Sequence, residues 1–227
     1  MRDRPTSVML FAAGFGTRMK HLTANQPKPL VKVSGKALID HTLEIARGVA
    51  PETIFANLHY LPHMLVEHLA DTGVQTILET PEILETGGGL LNALPILGDA
   101  PVITMNTDAI WSGPNPVKMA LDAWKPDQMD ALLVCVPVSK TVGYSGNGDF
   151  AIDATGRLLR GNGSVYGGVQ IIKTDRLAAV SETAFSLNLI WNQMLKDERL
   201  FGINYTGNWC DVGHPDGIKL AEDMLNV

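Results

Sequence analysis

Val8-Met9-Leu10-Phe11-Ala12-Ala13-Gly14-Phe15-Gly16-Thr17-Arg18-Met19, followed by Pro27-Lys28-Pro29-Leu30, is the stretch whose reading decides the fold. Its apolar start, Val8 to Ala12, is too short and too rich in β-type residues for a helix and reads as a buried strand. The strand runs into a glycine-rich turn. Small residues there let an anion approach the main chain, whose free N–H groups suit a phosphate. Arg18 and Lys28 add fixed positive charge around that anion. The loop is expected to hold a nucleoside triphosphate, and the rest of the chain to bring it a second substrate.

Outward from this loop, strands and helices alternate. Strands are expected at Thr53 to Asn57, Val74 to Glu79, Pro101 to Asn106 and Asp130 to Val138. Helices are expected at Leu38 to Val49, ended by Pro51, and at His63 to Asp71, Leu90 to Leu97 and Pro116 to Trp124. The run Glu85-Thr86-Gly87-Gly88-Gly89 reads as a second glycine-rich turn ahead of a helix. Three successive glycines cost helix stability, so packing alone is a poor reason for them. The alternation predicts an α/β fold: a Rossmann-like sheet, mixed but mostly parallel, with helices on both faces.

Beyond about residue 139 the chain turns irregular. A hairpin is expected across Ala154-Thr155-Gly156, a strand at Val165 to Ile172 and a helix at Asn188 to Asp197. Short extended pieces follow at Leu200 to Tyr205 and Trp209 to Val212, then a closing helix at Pro215 to Leu225. With no linker or repeat, residues 1–227 read as one domain in two halves, divided near residue 138.

Charge narrows the function. The formal net charge is -6, which disfavours a general nucleic-acid or anionic-membrane surface but not a local basic site. Cys135 and Cys210 are far apart and form no CxxC pair, so neither a disulfide framework nor a zinc site is expected. No apolar stretch reaches the length of a membrane span, and no signal-peptide pattern is seen. A cytoplasmic protein is the expectation.

A dinucleotide fingerprint would need a third glycine at residue 19, which is Met19, and a P-loop would need Gly-Lys-Ser/Thr. Ala12 to Met19 together with Pro27 to Leu30 instead resembles the signature of sugar-1-phosphate nucleotidyltransferases, which join a nucleoside triphosphate and a sugar 1-phosphate. Gly35-Lys36-Ala37-Leu38-Ile39 is similar to that family's Gly-Lys-Pro-Leu-Ile, with Ala37 for proline. Asn106-Thr107-Asp108 is similar to its Asn-Gly-Asp, and Trp209-Cys210-Asp211-Val212-Gly213-His214-Pro215 to its Trp-x-Asp-Val-Gly-Thr-Pro. Leu84 to Gly89 with Gly148-Asp149-Phe150 resembles a narrower branch, the N-acetylmuramate-1-phosphate uridylyltransferases of cell-wall recycling.

The resemblance implies roles. Asp108, at the end of an apolar strand, and Asp211 would hold Mg²⁺, which at a triphosphate prefers one or two carboxylates plus phosphate oxygens. Taken alone, Asp108 could be a helix cap and Asp211 a turn residue. Arg18 would neutralise the departing pyrophosphate, and Lys28 would bridge the phosphates of the two substrates. Ala12, Ala13, Gly14, Gly16 and Thr17 would line the nucleotide, with Glu85, Thr86 and Gly87 at its base or ribose. Asn106 and Gly148 would line the sugar, and Asn162 and Gly168 in the irregular half are further expected lining. UTP and N-acetylmuramate 1-phosphate are the expected pair.

Other readings stay open here: GTP with mannose 1-phosphate, CTP with a choline or sugar phosphate, or a non-catalytic nucleotide-sugar sensor. A sensor needs no metal pair. An NAD-dependent oxidoreductase is disfavoured by Met19 and by Asn57 where an acid would end the second strand.

Overall fold

The computed structural model describes residues 3–226. Its first part contains β1 (Ser7–Phe11), β2 (Lys32–Val33), β3 (Lys36–Ala37), α1 (Leu38–Arg47), β4 (Thr53–Leu58), α2 (Pro62–Leu69) and β5 (Gln75–Leu78). Then come α3 (Glu85–Leu97), β6 (Val102–Asn106), β7 (Ala109–Ser112), α4 (Pro116–Ala123) and β8 (Ala131–Pro137). The remainder is β9 (Thr141–Val142), β10 (Phe150–Ile152), β11 (Leu158–Arg160), β12 (Ser164–Ile172), α5 (Asn188–Lys196), β13 (Leu200–Asn204), β14 (Asn208–Asp211) and α6 (Pro215–Leu225).

Val8, Met9 and Leu10 are all fully buried, and successive side chains of a strand point to opposite faces. Such a strand belongs inside a sheet covered on both sides. β1 accordingly pairs in parallel with β4 on one edge and β6 on the other. β5 extends the parallel run beyond β4. β12 reverses direction beside β6 and β8, while β13 pairs in parallel with β8. One face carries α1, α2 and α4, whose Ile39, Leu43, Leu65, Leu69, Val117 and Ala120 pack with Val8 and Leu10. The other carries α3 and α5, whose Leu90, Ala93, Ile190 and Met194 pack with Met9. Each large aliphatic side chain so buried contributes about 1.5–3 kcal/mol.

The sheet is largely parallel with helices on both faces, as the alternation predicts. Three local expectations are corrected. The glycine run is not a turn: α3 begins at Glu85 and takes the glycines into its first turns. A Cβ on Gly87 would meet the Phe185 ring at 2.4 Å, and one on Gly88 the Thr183 carbonyl at 2.3 Å, so close packing is a full reason for both. α1 stops at Arg47 with Gly48 as its cap, ahead of Pro51. Finally, Ala109–Ser112 and Thr141–Val142 are strands that join β14 in a separate sheet ordered β7-β14-β9. Behind it a third apolar cluster joins Met19, Val31, Val33, Leu38 and Ile110 to Cys210, Val212 and Ala221. It clamps the first loop to the last strand and helix.

Candidate active site

The parallel strands deliver their carboxyl ends to one edge of the sheet, where open α/β sheets bind ligands. β1 stops at Phe11, and the Ala12 N–H donates to Asn57 Oδ1 at 2.8 Å. Asn57 Nδ2 in turn donates to Glu79 Oε1 at 2.6 Å, and Glu79 Oε2 accepts the Leu84 N–H at 2.8 Å. This buried chain ties the end of β1 to the ends of β4 and β5 and to the start of α3. A Cβ on Gly89 would stand 2.6 Å from Glu79 Oε1 and 2.8 Å from Asn57 Nδ2, so α3 can approach the chain only as glycine. The N–H groups of Ala13, Gly14, Phe15 and Gly16 have no partner among the described residues. They are the open donors of the loop; the Ala12 N–H is not one of them.

Gly16 closes the loop in the left-handed region, with φ 65°. A Cβ there would lie 2.7 Å from Lys28 Cβ. Thr17 and Arg18, both exposed, lead out of it into a 3-10 segment, Thr17–Thr23, that kinks at Lys20 and buries Met19. Lys28 is buried to 8% exposure between Pro27 and Pro29, and its Nζ donates to Asp108 Oδ2 at 2.8 Å. An ammonium has three donors, so two remain for phosphate oxygens. Thr107, just before Asp108, donates its hydroxyl to the Phe11 carbonyl at 2.8 Å and pins this turn to the end of β1.

Asp108 and Asp211 meet through the small sheet. β14 runs antiparallel to β7 with Asp211 opposite Ala109, and the Val212 N–H donates to the Asp108 carbonyl at 2.9 Å. Burial, and after it the charge of Asp108, holds the Asp211 carboxyl above the ordinary carboxylate range, against the pull of Lys28, Arg18 and His214. Arg18 reaches the same place: a Cβ on Gly213 would stand 2.9 Å from Asp211 Oδ2 and 3.2 Å from Arg18 Nη1. Gly213 is thus the gap across which this cation and carboxylate face each other.

Two carboxylates, of which Asp211 is raised by burial and then by the charge of Asp108, stand beside the open N–H donors of the loop and are a donor set that fits a hard divalent cation. Among the described residues no cluster of three or more ligating side chains exists. A pair is what such an ion takes when phosphate oxygens complete its shell.

A cavity of about 210 Å³ opens over these groups. Ala12, Ala13, Gly14, Lys28, Glu85, Thr86, Asn106 and Asp108 line it, as does Asn57. A second cavity of about 240 Å³ shares Phe11, Thr86 and Asn106 with the first. Its other walls come from Asp149, Phe150, Arg160, Tyr166, Gln170 and the start of α5. Tyr166 and Trp191 pack edge to face at 4.9 Å. The Tyr166 hydroxyl is buried with no well-formed hydrogen bond.

Several expected residues lie elsewhere. The Gly87 N–H is spent on the Phe185 carbonyl at 2.8 Å, and Gly87 lines neither cavity. Gly168, with φ 95°, allows a tight approach: a Cβ would stand 2.9 Å from Asn106 Cβ, so it positions the asparagine. Gly148, with φ 103°, does the same against the backbone of Gly163 and Ser164. Asn162 is exposed and lines neither cavity. Trp209, placed by sequence beside Asp211, donates Nε1–H to the Gly167 carbonyl at 2.9 Å and is structural. Asn57, Arg160 and Gln170 escape sequence reasoning, since nothing local marks them.

This edge of the sheet gathers backbone donors, two cations and a carboxylate pair, and it opens on two joined cavities. Its chemistry is that of nucleotidyl transfer between two phosphorylated substrates. The chain belongs to the family of MobA-like NTP transferase domains, which matches residues 8–146. It is 35% identical to N-acetylmuramate alpha-1-phosphate uridylyltransferase of Caulobacter vibrioides over 99% of both chains. It is 30% identical to the enzyme of that name from Neisseria meningitidis, over 96% of this chain and 98% of the relative. The fold also matches a solved UDP-glucose pyrophosphorylase complexed with UDP-glucose, with a TM-score of 0.78 at 16% identity over 98% of each chain. Within this family the sugar nucleotidyltransferases generally use a divalent metal. Among the described residues no helix is long and apolar enough to cross a membrane.

Proposed function

We propose that the protein transfers a uridylyl group from UTP to N-acetylmuramate 1-phosphate, giving the nucleotide sugar and pyrophosphate. The observation that carries this is the convergence of Lys28, Asp108, Asp211 and Arg18 on the open end of the glycine loop. Identity across the whole length to two uridylyltransferases of that name supports the substrate pair.

The reaction is an in-line displacement at the α-phosphorus by a phosphate oxygen of the sugar. That oxygen is already anionic, so no general base is needed, and the barrier is charge repulsion and alignment. The free N–H groups of Ala13 to Gly16 hold the triphosphate, while Glu85 and Thr86 border the nucleoside. Lys28 sits where the two substrates' phosphates meet and offsets their repulsion. Arg18, exposed at the loop's outer side, takes the charge of the leaving pyrophosphate. Asn106, between the two cavities, orients the sugar. Asp108 and Asp211 would hold Mg²⁺, which when bound polarises phosphoryl oxygens and screens their charge.

The test is a matrix of four nucleoside triphosphates against a panel of sugar 1-phosphates, read by pyrophosphate release with Mg²⁺ present. Turnover confined to UTP and N-acetylmuramate 1-phosphate is expected. Preference for GTP with mannose 1-phosphate, or no release with any pair, refutes the assignment.

A further inference from the structure

The second cavity carries a cation that phosphate handling does not use. Arg160 ends β11, and its guanidinium carbon lies 4.6 Å from the centre of the Phe150 ring. Nη2 donates to Asn188 Oδ1 at 2.7 Å and to Asn192 Oδ1 at 2.9 Å, and Nε donates to Asn192 Oδ1 at 3.3 Å. All these acceptors are neutral. Asp149, the acid in the same wall, accepts the Tyr166 N–H at 2.9 Å and forms no ion pair with Arg160. Both hydrogens of Nη1 are without a partner among the described residues.

Two amides and an aromatic face therefore hold this guanidinium in orientation, while Nη1 keeps both its hydrogens free in a cavity wall. A guanidinium nitrogen with free hydrogens and a fixed charge donates charge-assisted hydrogen bonds to a carboxylate. The first turn of α5 borders the same space through Asn188 and adds the positive end of its dipole. Partial burial of the guanidinium works against its charge, and the charge of Asp149 supports it.

Most sugar 1-phosphates carry only hydroxyl and amide groups apart from the phosphate. N-acetylmuramate is N-acetylglucosamine bearing a lactyl ether, and that ether ends in a carboxylate. We propose that Arg160 receives this carboxylate and so selects an acidic sugar 1-phosphate over its neutral counterpart. The inference rests on the transferase reading above and adds the residue that sets sugar choice.

The experiment compares N-acetylmuramate 1-phosphate with N-acetylglucosamine 1-phosphate, each with UTP, in the wild type, Arg160→Gln and Arg160→Lys. A lost charge-assisted hydrogen bond predicts a fall of roughly 10- to 100-fold in kcat/KM for the muramate with Arg160→Gln. The fall should lie mainly in KM, because the carboxylate is remote from the reacting phosphorus. Activity on the neutral sugar and the KM for UTP should stay within about twofold on that argument. Arg160→Lys should lose less, on the muramate alone, and it carries the test if the glutamine variant fails to fold. Equal losses on both sugars, or no loss on the muramate, overturn the inference. A wild type that uses both sugars equally also overturns it and leaves the transferase reading standing. A wild type that releases pyrophosphate with neither sugar overturns both.

Discussion

Replacing Gly89 with alanine should weaken the protein and loosen its hold on UTP together, although alanine is the better helix former. The added Cβ would stand 2.6 Å from Glu79 Oε1 and 2.8 Å from Asn57 Nδ2, closer than such atoms approach. Asn57 must move, and with it go its bond to Glu79 at 2.6 Å and the Ala12 N–H bond at 2.8 Å. A hydrogen bond to a charged group contributes about 1.5–3 kcal/mol and a neutral one about 0.5–1.5 kcal/mol. Alanine in a helix returns about 1 kcal/mol relative to glycine. The net loss is about 1–3.5 kcal/mol, and at roughly 2–4 °C per kcal/mol the midpoint should fall by several degrees. Because Asn57 also lines the first cavity, the KM for UTP should rise about tenfold, the equivalent of 1.4 kcal/mol. Thermal unfolding and initial rates at varied UTP measure both effects. Asn92→Ala, on the exposed side of the same helix, isolates the propensity gain and should not destabilise. A Gly89→Ala protein that melts no lower than the wild type and keeps its KM for UTP would refute the buried chain's part in shaping the loop.

Other outcomes follow from the same geometry. Lys28→Ala should lower turnover by about 10²-fold or more, the scale of one pre-organised electrostatic contact, and disturb folding far less; lost melting temperature with intact specific activity would mark a purely structural lysine. Asp211→Asn should lower turnover similarly, yet raise the melting temperature in chelator at neutral pH. The wild-type carboxyl titrates higher when folded, so its ionised form costs stability above that pKa and nothing below the unfolded one. The variant's advantage should therefore fade as pH falls through the carboxylate range; an advantage independent of pH would contradict the raised carboxyl. Burial, then the charge of Asp149, pushes the Cys135 thiol up to about 12, and burial, then Asp211, pushes Cys210 up to about 11. Neither should react with iodoacetamide at pH 8 until the protein unfolds, and alkylation of the native protein would be the contrary result.

The strands of the large sheet were legible because their apolar runs are buried on both faces, and β1 and β6 show this most plainly. The loop was legible because Gly14, Gly16, Arg18 and Lys28 lie close together in the chain and their types state a chemistry. What escaped depends on contacts between distant segments. The run Gly87 to Gly89 looked like a ligand loop because nothing near it names Phe185, Thr183 or Glu79 as the surfaces it must accommodate. Ala109–Ser112 was missed because a short strand is specified by its partner, and that partner is β14, about a hundred residues away. Arg160 is one basic residue at the end of a hairpin strand until α5 sets Asn188 and Asn192 beside it.

The apolar cluster that clamps the first loop to β14 and α6 also bears on how the molecule is made. Synthesis runs from the amino end, so the ribosome finishes the glycine loop well before it supplies Asp211 and the helix that follows it. Until then Met19, Val31 and Leu38 lack their partners, and the carboxylate pair is half present. A chain interrupted before β14 would carry the nucleotide-facing groups without the means to use them. Premature termination would thus yield a silent fragment, and no triphosphate would be spent by an unfinished enzyme.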